Sequence, residues 1–339
     1  MRLRHSAGDG LRIEGVAPVI DASRVQPVGI ISHAHSDHSA RHKKIVCTPE
    51  TALCLGERWK RLTVHAVPYD KSVSLEGVRV TLHPAGHVLG SAMVLLEVAG
   101  TRVLYTGDLR TTRSPLLKGA QPVTCDVLVI ESTFGRPEYV FPTQARIRQL
   151  LHGFVDAARS SGFTPVILGY ALGKAQEIVA LLADYHETIW VHPKIAAFCA
   201  RYRQAGIDLP EVEVPSAGAP AGALVVMPPN FARSEWRGRI ARPRTCFCSG
   251  WAVRGAQGGF VSADQAIPLS DHADCPHLLE FARATGARKV FTTHGFAAEF
   301  AELLRSEGID ASPITSRWQD TSPRRTAAAP VESLDLFDS

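Results

Sequence analysis

The chain has 339 residues, of which 45% are hydrophobic and 21% charged, and its formal net charge is +4. This composition is typical of a globular protein and excludes a largely disordered chain, while the mild positive charge permits a polyanionic partner without requiring one. No C-x-x-C pair and no run of about 18 uncharged apolar residues is present, so neither a cysteine zinc finger nor a membrane span is expected. The unpaired cysteines and the lack of a secretion signal favour a cytoplasmic location.

Short strands dominate the predicted elements of the first part of the chain. Apolar segments bounded by turn residues predict strands at 28–32, 44–47, 62–66, 78–83, 92–98, 101–105 and 127–130. The dipeptide Ala99-Gly100 separates two of these segments and predicts a hairpin turn.

The strand at 28–32 leads directly into four potential metal ligands, which are His33, His35, Asp37 and His38. Residues two apart on an extended segment point the same way, so His33 and His35 can bind one cation while the following turn carries the other two ligands to a second. Imidazole and carboxylate ligands without thiolates suit zinc, with manganese as an alternative. A His-rich surface turn is the simpler interpretation, but it leaves the matching ligands downstream unexplained.

Three later residues each offer a metal ligand just beyond a predicted strand, and they are His87, Asp108 and His294. Loops at strand ends are where ligands from distant parts of a sequence converge. Any one of these residues alone would usually be only hydrogen-bonded. Their joint occurrence with the His cluster predicts a metal centre.

From about residue 142 strands and helices alternate, which predicts a parallel α/β unit. Helices are predicted at 142–159, 174–185, 276–286 and 297–307, and strands at 165–168, 188–191, 224–227, 245–248 and 289–292. After about residue 318 the chain is polar and rich in Pro, Arg and Ala, and is predicted to be disordered.

The segments around the candidate ligands resemble a known fold. His33 to His38, Gly86-His87, Gly107-Asp108 and His294 together resemble the metallo-β-lactamase fold. Two further segments, Ile130-Glu131-Ser132-Thr133 and Ser270-Asp271-His272-Ala273, resemble the additional acid and His motifs of its β-CASP branch, whose members are nucleases acting on DNA or RNA. Within that branch, the segments from Tyr170 to Glu177 and from Ser249 to Trp251 are most similar to the bacterial ligase-associated DNA exonucleases.

The resemblance covers residues 10 to 318 and implies an α/β fold, namely a metallo-β-lactamase αββα sandwich with an inserted β-CASP α/β domain. The sandwich is expected to comprise residues 1–138 and 263–318, and the insertion residues 139–262. Residues 319–339 are then the disordered tail.

The resemblance also implies two zinc ions bridged by Asp108. The first zinc would be bound by His33, His35 and His87, and the second by Asp37, His38 and His294. Asp21 matches the family's first acidic motif, which supports the His cluster from behind. An Asx turn after a strand explains Asp21 equally well.

A pair of cations can lower the pKa of a water molecule and stabilise an in-line phosphoryl displacement. Asp37 and Asp108 belong to this predicted catalytic centre. His272 is expected to protonate the leaving oxygen, with Glu131 orienting its imidazole. Four residues are predicted to contact substrate phosphates, and they are Ser132, Thr133, Lys174 and Ser249.

These features predict a zinc-dependent DNA exonuclease of DNA repair, with an RNA-processing nuclease as the alternative. His294 does not decide between them, because RNA-processing members and the bacterial ligase-associated group share this residue type. A non-catalytic scaffold is disfavoured because every ligand is present. A small-molecule hydrolase is disfavoured by Glu131, His272 and the insertion, since a small substrate needs no second covering domain.

The C-terminal segment Ser333-Leu334-Asp335-Leu336-Phe337 resembles the pentapeptide that bacterial partners insert into the DNA sliding clamp, except for its missing Gln. A disordered segment with apolar anchors is suited to a preformed groove. A chance apolar pair near a terminus is the alternative interpretation. The resemblance further implies DNA ligase and a helicase of the same repair pathway as partners, besides the DNA or RNA substrate, and no membrane.

Overall fold

The alternating apolar segments of the first part of the chain form two stacked sheets. The computed structural model describes residues 1–6, 8–56, 59, 62–254 and 261–322. Across the first sheet the strands follow the order β20 (Gln319–Asp320), β1 (Arg2–Ser6), β2 (Gly10–Ile13), β3 (Val19–Ile20), β4 (Val28–Ile30), β5 (Lys44–Cys47) and β6 (Thr63–Ala66). The strands from β3 to β6 are parallel, so their carboxyl ends lie at one edge.

The second sheet lies face to face with the first. Its order is β19 (Ala311–Pro313), β18 (Lys289–Thr293), β11 (Val127–Glu131), β10 (Thr101–Tyr105), β9 (Ala92–Val98), β8 (Val78–Pro84) and β7 (Ser72–Leu75). Strands β10, β11, β18 and β19 are parallel. Inward-facing aliphatic residues such as Ile30, Val46, Val94 and Val127 fill the core between the two sheets.

Helices cover the two outer faces of this pair of sheets. Helix α1 (Pro49–Leu55) packs on the first sheet, where Leu55 contacts Ile45 and its neighbours. Helices α5 (Cys275–Ala284) and α6 (Ala297–Ser306) pack on the second, where Phe281 and Phe300 lie against the outward face of β11. The layers are therefore helix, sheet, sheet, helix, as predicted.

A third sheet is inserted between β11 and α5. Its six strands are all parallel and follow the order β14 (Val212–Glu213), β13 (Ile189–Val191), β15 (Leu224–Met227), β12 (Thr164–Leu168), β16 (Pro243–Cys248) and β17 (Gln265–Ile267). Helices α2 (Gln144–Ser160), α3 (Lys174–Leu181) and α4 (Pro193–Gln204) share one core with this sheet. Val88 and Leu89 of the sandwich belong to the same core, so the insertion packs directly on the sandwich. The predicted sandwich with an inserted α/β domain is confirmed.

Two predicted boundaries differ from the structure. Gln319 and Asp320 form a strand against Leu3 and Arg2, so the prediction that the disordered tail begins at 319 is wrong for these residues. Strand β17 belongs to the third sheet and ends at Ile267, beyond the predicted return to the sandwich at 263. Both differences involve short edge strands that only long-range pairing defines. The proposed clamp-binding segment at 333–337 lies outside the described residues.

None of the helices in the described part of the chain combines the length and apolarity needed to cross a bilayer.

Candidate metal centre and active site

The predicted ligands meet at one edge of the two stacked sheets. His33 follows β4, Asp108 follows β10, Glu131 ends β11 and His294 follows β18. Because parallel strands place their carboxyl ends at the same edge, residues that lie up to 261 positions apart, such as His33 and His294, reach one site.

Four side chains converge on one point, and they are His33, His35, His87 and Asp108. His35 Nδ1 lies 3.0 Å from His33 Nε2 and 3.2 Å from His87 Nε2, and Asp108 Oδ2 lies 3.4 and 3.5 Å from the same two nitrogens. A tetrahedral zinc ion has metal–ligand distances of about 2.0–2.2 Å, which correspond to ligand–ligand distances of about 3.3–3.6 Å. The two distances from Asp108 lie within this range and the two between imidazoles are slightly shorter, so the four atoms surround one point at close to the spacing of a tetrahedral cation site.

The ring orientations of the three histidines are fixed by their other nitrogens. His33 Nδ1 lies 3.0 Å from Ser32 Oγ, His87 Nδ1 donates to the carbonyl oxygen of Asp271 at 2.9 Å, and His35 Nε2 donates to that of Leu172 at 3.2 Å. Such partners select the tautomer whose free nitrogen can bind a metal. Burial lowers the pKa of His33 well below its usual value and that of His87 to about 4, so both imidazoles are neutral at neutral pH.

A second, more open group of ligands surrounds His38. Its Nε2 lies 3.6 Å from Asp108 Oδ1 and 3.8 Å from Asp37 Oδ2, and its ring centroid lies 5.5 Å from that of His294. Asp37 and His294 are exposed. Burial lowers the pKa of His38, but Asp108 and Asp21 outweigh that effect and raise it to about 10. The surrounding carboxylates thus favour a positive charge at this position.

Asp21 supports the His cluster through three hydrogen bonds. Its carboxylate accepts from the backbone nitrogen of Ser32 at 2.7 Å, from Ser32 Oγ at 2.6 Å and from His38 Nδ1 at 2.9 Å. Its φ of 52° is in the left-handed region, which Asp tolerates better than most residues. The structure therefore favours the supporting role over a simple Asx turn.

The partly buried His272 and the fully buried Glu131 form a pair beside the four converging side chains. Glu131 Oε1 lies 2.8 Å from His272 Nδ1 and accepts from the backbone nitrogen of Leu109, while Oε2 accepts from that of Thr133. Burial lowers the pKa of His272, but the Glu131 carboxylate outweighs burial and raises it to about 9. His272 can therefore hold a proton next to Asp108, which lies close to both partners.

Comparisons with known proteins agree with this architecture, although no family model matches the chain. A protein named probable DNA ligase from Opitutus terrae is 36% identical over 309 residues, which is 90% of this chain and 30% of that protein. An RNase J-like protein from Methanocaldococcus jannaschii is 33% identical over 50% of this chain and 46% of its own length. Endoribonuclease YSH1 from Yarrowia lipolytica is 35% identical over 42% of this chain and 17% of its own length. The chain thus spans less than half the length of each of these relatives.

The RNase J-like protein and the endoribonuclease have the metallo-β-lactamase fold with the β-CASP insertion. The present chain has this fold too. A solved structure of a protein of unknown function from Enterococcus faecalis V583 aligns with a TM-score of 0.59 over 86% of this chain and 80% of that one, at 13% identity, which shows a shared fold alone.

The residues predicted to contact substrate are mostly used inside the protein. Lys174 is buried, and its ammonium donates to Asp271 Oδ1 at 2.6 Å and to a backbone carbonyl, which contradicts the predicted phosphate contact. Ser132 is also buried and directs its hydroxyl to the carbonyl oxygens of 293 and 294, and Ser249 is buried beside the backbone of Trp251. Of the four, Thr133 alone keeps partial exposure.

Two residues with no predicted role lie at the candidate metal centre of the metallo-β-lactamase sandwich. Asp271 holds His87 through its carbonyl and binds Lys174 of the β-CASP insertion through its carboxylate. The position of Asp271 next to His272 in the sequence could have indicated a role at this site. His5 lies 5.3 Å from His294, ring to ring, and comes from β1, so no local pattern could connect them.

Proposed function

We propose that this chain is a metal-dependent nuclease, and specifically a zinc-dependent DNA exonuclease that hydrolyses phosphodiester bonds during DNA repair. The observation that carries the proposal is the convergence of three imidazoles and Asp108 at close to tetrahedral spacing, with the His272–Glu131 pair beside them. The similarity to an RNase J-like protein and an endoribonuclease supports nuclease chemistry.

The proposal assigns a set of ligands to each of two cations. His33, His35, His87 and Asp108 would hold the first, and Asp37, His38 and His294 would hold the second together with Asp108. Bound cations supply positive charge to the phosphoryl oxygens and lower the pKa of water. Zinc fits the nitrogen-rich first set, and manganese is the alternative.

The chain's own residues handle the proton of the leaving group. His272 carries a proton at neutral pH, because the Glu131 carboxylate raises its pKa to about 9. With Nδ1 held by Glu131, the proton on Nε2 is the one available to the leaving oxygen. Two backbone N–H groups keep Glu131 charged and oriented while His272 donates.

DNA is the preferred substrate in this proposal because the protein named a DNA ligase matches 90% of the chain, whereas the two ribonuclease-named proteins match half of it or less. An RNA-processing nuclease is the second candidate, because two relatives carry ribonuclease names. The chemistry of the metal centre is the same for both.

The test is digestion of end-labelled single-stranded DNA, double-stranded DNA and RNA of one sequence, with and without zinc or manganese. We expect metal-dependent release of mononucleotides from DNA, and loss of it in Asp108→Ala. Asp184→Ala, which removes an exposed ion pair with Arg148 in the insertion, is the matched control. Full activity of Asp108→Ala would refute the bridging role, and faster cleavage of RNA would favour the second candidate.

We also propose that residues 333–337 bind the DNA sliding clamp, and that DNA ligase and a helicase act in the same repair pathway. The support is the apolar pentapeptide in the sequence and the similarity to a protein named a DNA ligase. Deleting residues 333–339 is expected to abolish recovery of the clamp in a pull-down and to preserve nuclease turnover. Unchanged recovery of the clamp would remove this part of the proposal.

A further inference from the structure

Two exposed aromatic side chains follow adjacent strands at one edge of the β-CASP sheet. Tyr170 follows β12 and is 57% exposed, and Trp251 follows β16 and is 37% exposed. Strands β12 and β16 are parallel neighbours, and Leu168 is paired with Phe247. Both rings are therefore carried just beyond the carboxyl ends of adjacent strands.

This edge of the insertion faces the metal centre. The carbonyl oxygen of Leu172, two residues after Tyr170, accepts the hydrogen bond from His35 Nε2. Tyr170 thus lies two residues from a direct contact between the insertion and the His cluster.

The ring of Trp251 is held in place from the sandwich side. Its centroid lies 4.8 Å from that of Phe134, 5.6 Å from Tyr139 and 6.0 Å from Phe296. Phe134 is in turn 6.0 Å from His272, so a single ring separates Trp251 from the proposed proton donor. These aromatic contacts hold the indole ring in place, while its exposed part remains available for stacking.

We propose that Tyr170 and Trp251 are stacking platforms for unpaired nucleobases beside the scissile phosphate, which makes single-stranded nucleic acid the substrate class of this site. The inference rests on the proposed nuclease function. Every nucleobase has an aromatic face, so such platforms bind single strands with little sequence preference. Base pairs in a duplex stack on each other, and their faces become available only after the strands separate.

Measurements of oligonucleotide binding by variants of the full-length chain test the proposal under conditions in which no hydrolysis occurs. Binding of a short fluorescent single-stranded DNA is measured in EDTA, which prevents hydrolysis, beside an oligonucleotide of the same length with abasic sites at its terminal positions. We expect Tyr170→Ala and Trp251→Ala each to weaken binding of the intact oligonucleotide by about 5- to 150-fold. The same variants should change binding of the abasic oligonucleotide by less than about twofold, because no base remains to stack.

Three further variants complete the design. Tyr170→Phe and Trp251→Phe keep an aromatic face and should retain most of the affinity. Trp318→Ala is the matched control, because Trp318 is also 37% exposed but packs on Arg4. Arg4 follows the core residue Leu3 in β1, so its side chain points to the opposite, outer face of the sheet. The affinity of Trp318→Ala for both oligonucleotides should stay unchanged.

Equal losses on intact and abasic oligonucleotides would overturn the proposal, because they would indicate structural damage rather than lost stacking. So would unchanged affinity of both alanine variants, or a preference for duplex DNA over the single strand. Failure of the nuclease proposal is read separately, as absence of metal-dependent cleavage of bis(p-nitrophenyl) phosphate, a diester without bases, by the unmodified chain.

Discussion

Glu131 is the residue on which the protonation of His272 depends. It is fully buried, and burial would raise its pKa, but the adjacent His272 outweighs burial and lowers it. The pair therefore consists of a charged carboxylate and a protonated imidazole at neutral pH. Each residue stabilises the charged form of the other, so removing one changes the titration of its partner.

The first prediction concerns Glu131→Gln. We expect kcat/KM for a phosphodiester to fall by about 10²-fold or more, and the alkaline limb of its pH profile to move to lower pH. The sign follows because Glu131 is the largest influence that raises the pKa of His272. With a neutral amide, only the Asp108 and Asp271 carboxylates still oppose burial, which lowers that pKa. The measurement is the pH dependence of kcat/KM for both enzymes at saturating metal.

Glu177→Gln is the matched control for that profile. Glu177 is also a buried glutamate, but it pairs with Arg110 at 2.7 Å. Its amide variant should keep the alkaline limb in place even where stability falls. An unmoved limb in Glu131→Gln would show that Glu131 does not set the protonation of His272.

The second prediction concerns Asp21→Asn. An amide can still accept from the backbone nitrogen of Ser32, but its NH₂ group then faces His38 Nδ1, so that the hydrogen bond to His38 is lost. We expect about 10- to 100-fold weaker zinc binding in a competition titration with a chelator. Asp184→Asn, an exposed aspartate, should bind zinc like the unmodified chain. Equal zinc affinity in Asp21→Asn would refute the supporting role.

At the residue level, the spacing of the His and Asp residues indicated which side chains converge, but it did not indicate which side chains are buried. The two-residue separation grouped His33 with His35, and their ring nitrogens do lie 3.0 Å apart, although β4 ends at Ile30 and both residues lie in the bend that follows it. Lys174 was assigned wrongly to substrate, because its sequence neighbours do not reveal that Asp271, 97 residues later, takes its ammonium group. The sequence around a residue does not reveal a hydrogen-bond partner that lies in another domain.

Among the elements, the turn that precedes α3 connects the insertion to the metal centre. Gly173 has a φ of 90°, and a Cβ added there would lie 2.4 Å from Val88 Cγ1. This close approach brings the carbonyl oxygen of Leu172 to His35. The turn therefore sets both the contact between the domains and the orientation of one proposed metal ligand, His35.

The third prediction follows from this turn. Gly173→Ala is expected to lower the free energy of unfolding by about 1–3 kcal/mol and to weaken zinc binding, because the added methyl group separates Leu172 from His35. Gly206→Ala is the matched control, since Gly206 has a φ of 81° but open space around its Cβ position. It should lose stability through the backbone alone and keep its zinc affinity. Equal zinc affinity in both variants would contradict the account of the turn.

Long elements with local signals were predicted closely, and short edge strands were not. The segments Ala92–Val98 and Thr101–Tyr105 match their predicted bounds, and the turn between them has positive φ at both Ala99 and Gly100, as a tight hairpin requires. Strands of two or three residues, such as β17 and β20, were missed because only their partners define them. Helix α4 was missed although Pro193 at its start was a usable signal.

At the scale of the whole molecule, two buried ion pairs join the insertion to the sandwich. Lys174 binds Asp271 at 2.6 Å, and Glu177 binds Arg110 at 2.7 Å. Burial would raise the pKa of Asp271, but the Lys174 ammonium outweighs it and holds that pKa below its usual range. The relative position of the two halves thus depends on charges that are compensated only when they are together.

The fourth prediction concerns Lys174→Met, which leaves Asp271 buried without its cation. We expect a loss of about 3–5 kcal/mol in the free energy of unfolding at neutral pH. The difference from the unmodified chain should shrink as the pH falls, because protonation of Asp271 relieves the unpaired charge in the variant and weakens the attraction in the original. Denaturant unfolding across a range of pH measures both effects.

The double variant Lys174→Met with Asp271→Leu is the control for that experiment. Removing both charges together should restore most of the stability, because no buried charge then remains unpaired. A double variant as unstable as the single one would show that packing, and not the charge pair, joins the two halves.

The two-part architecture was predictable because the His and Asp motifs mark strand ends in the sandwich, while strand–helix alternation marks the insertion. The contact between the two parts was not, because it depends on Gly173 approaching Val88 and on Lys174 reaching Asp271 across the cleft. Each of these contacts joins segments far apart in the chain. They become visible only when both domains are placed together.

The convergence of His33, His35, His87 and Asp108 on a divalent cation is tested most directly by anomalous X-ray scattering at the zinc edge from crystals grown with zinc. The expected result is a strong peak about 2.0–2.2 Å from His33 Nε2, His35 Nδ1, His87 Nε2 and Asp108 Oδ2. Zinc peaks only elsewhere on the protein, or no peak between these four atoms, would contradict the account.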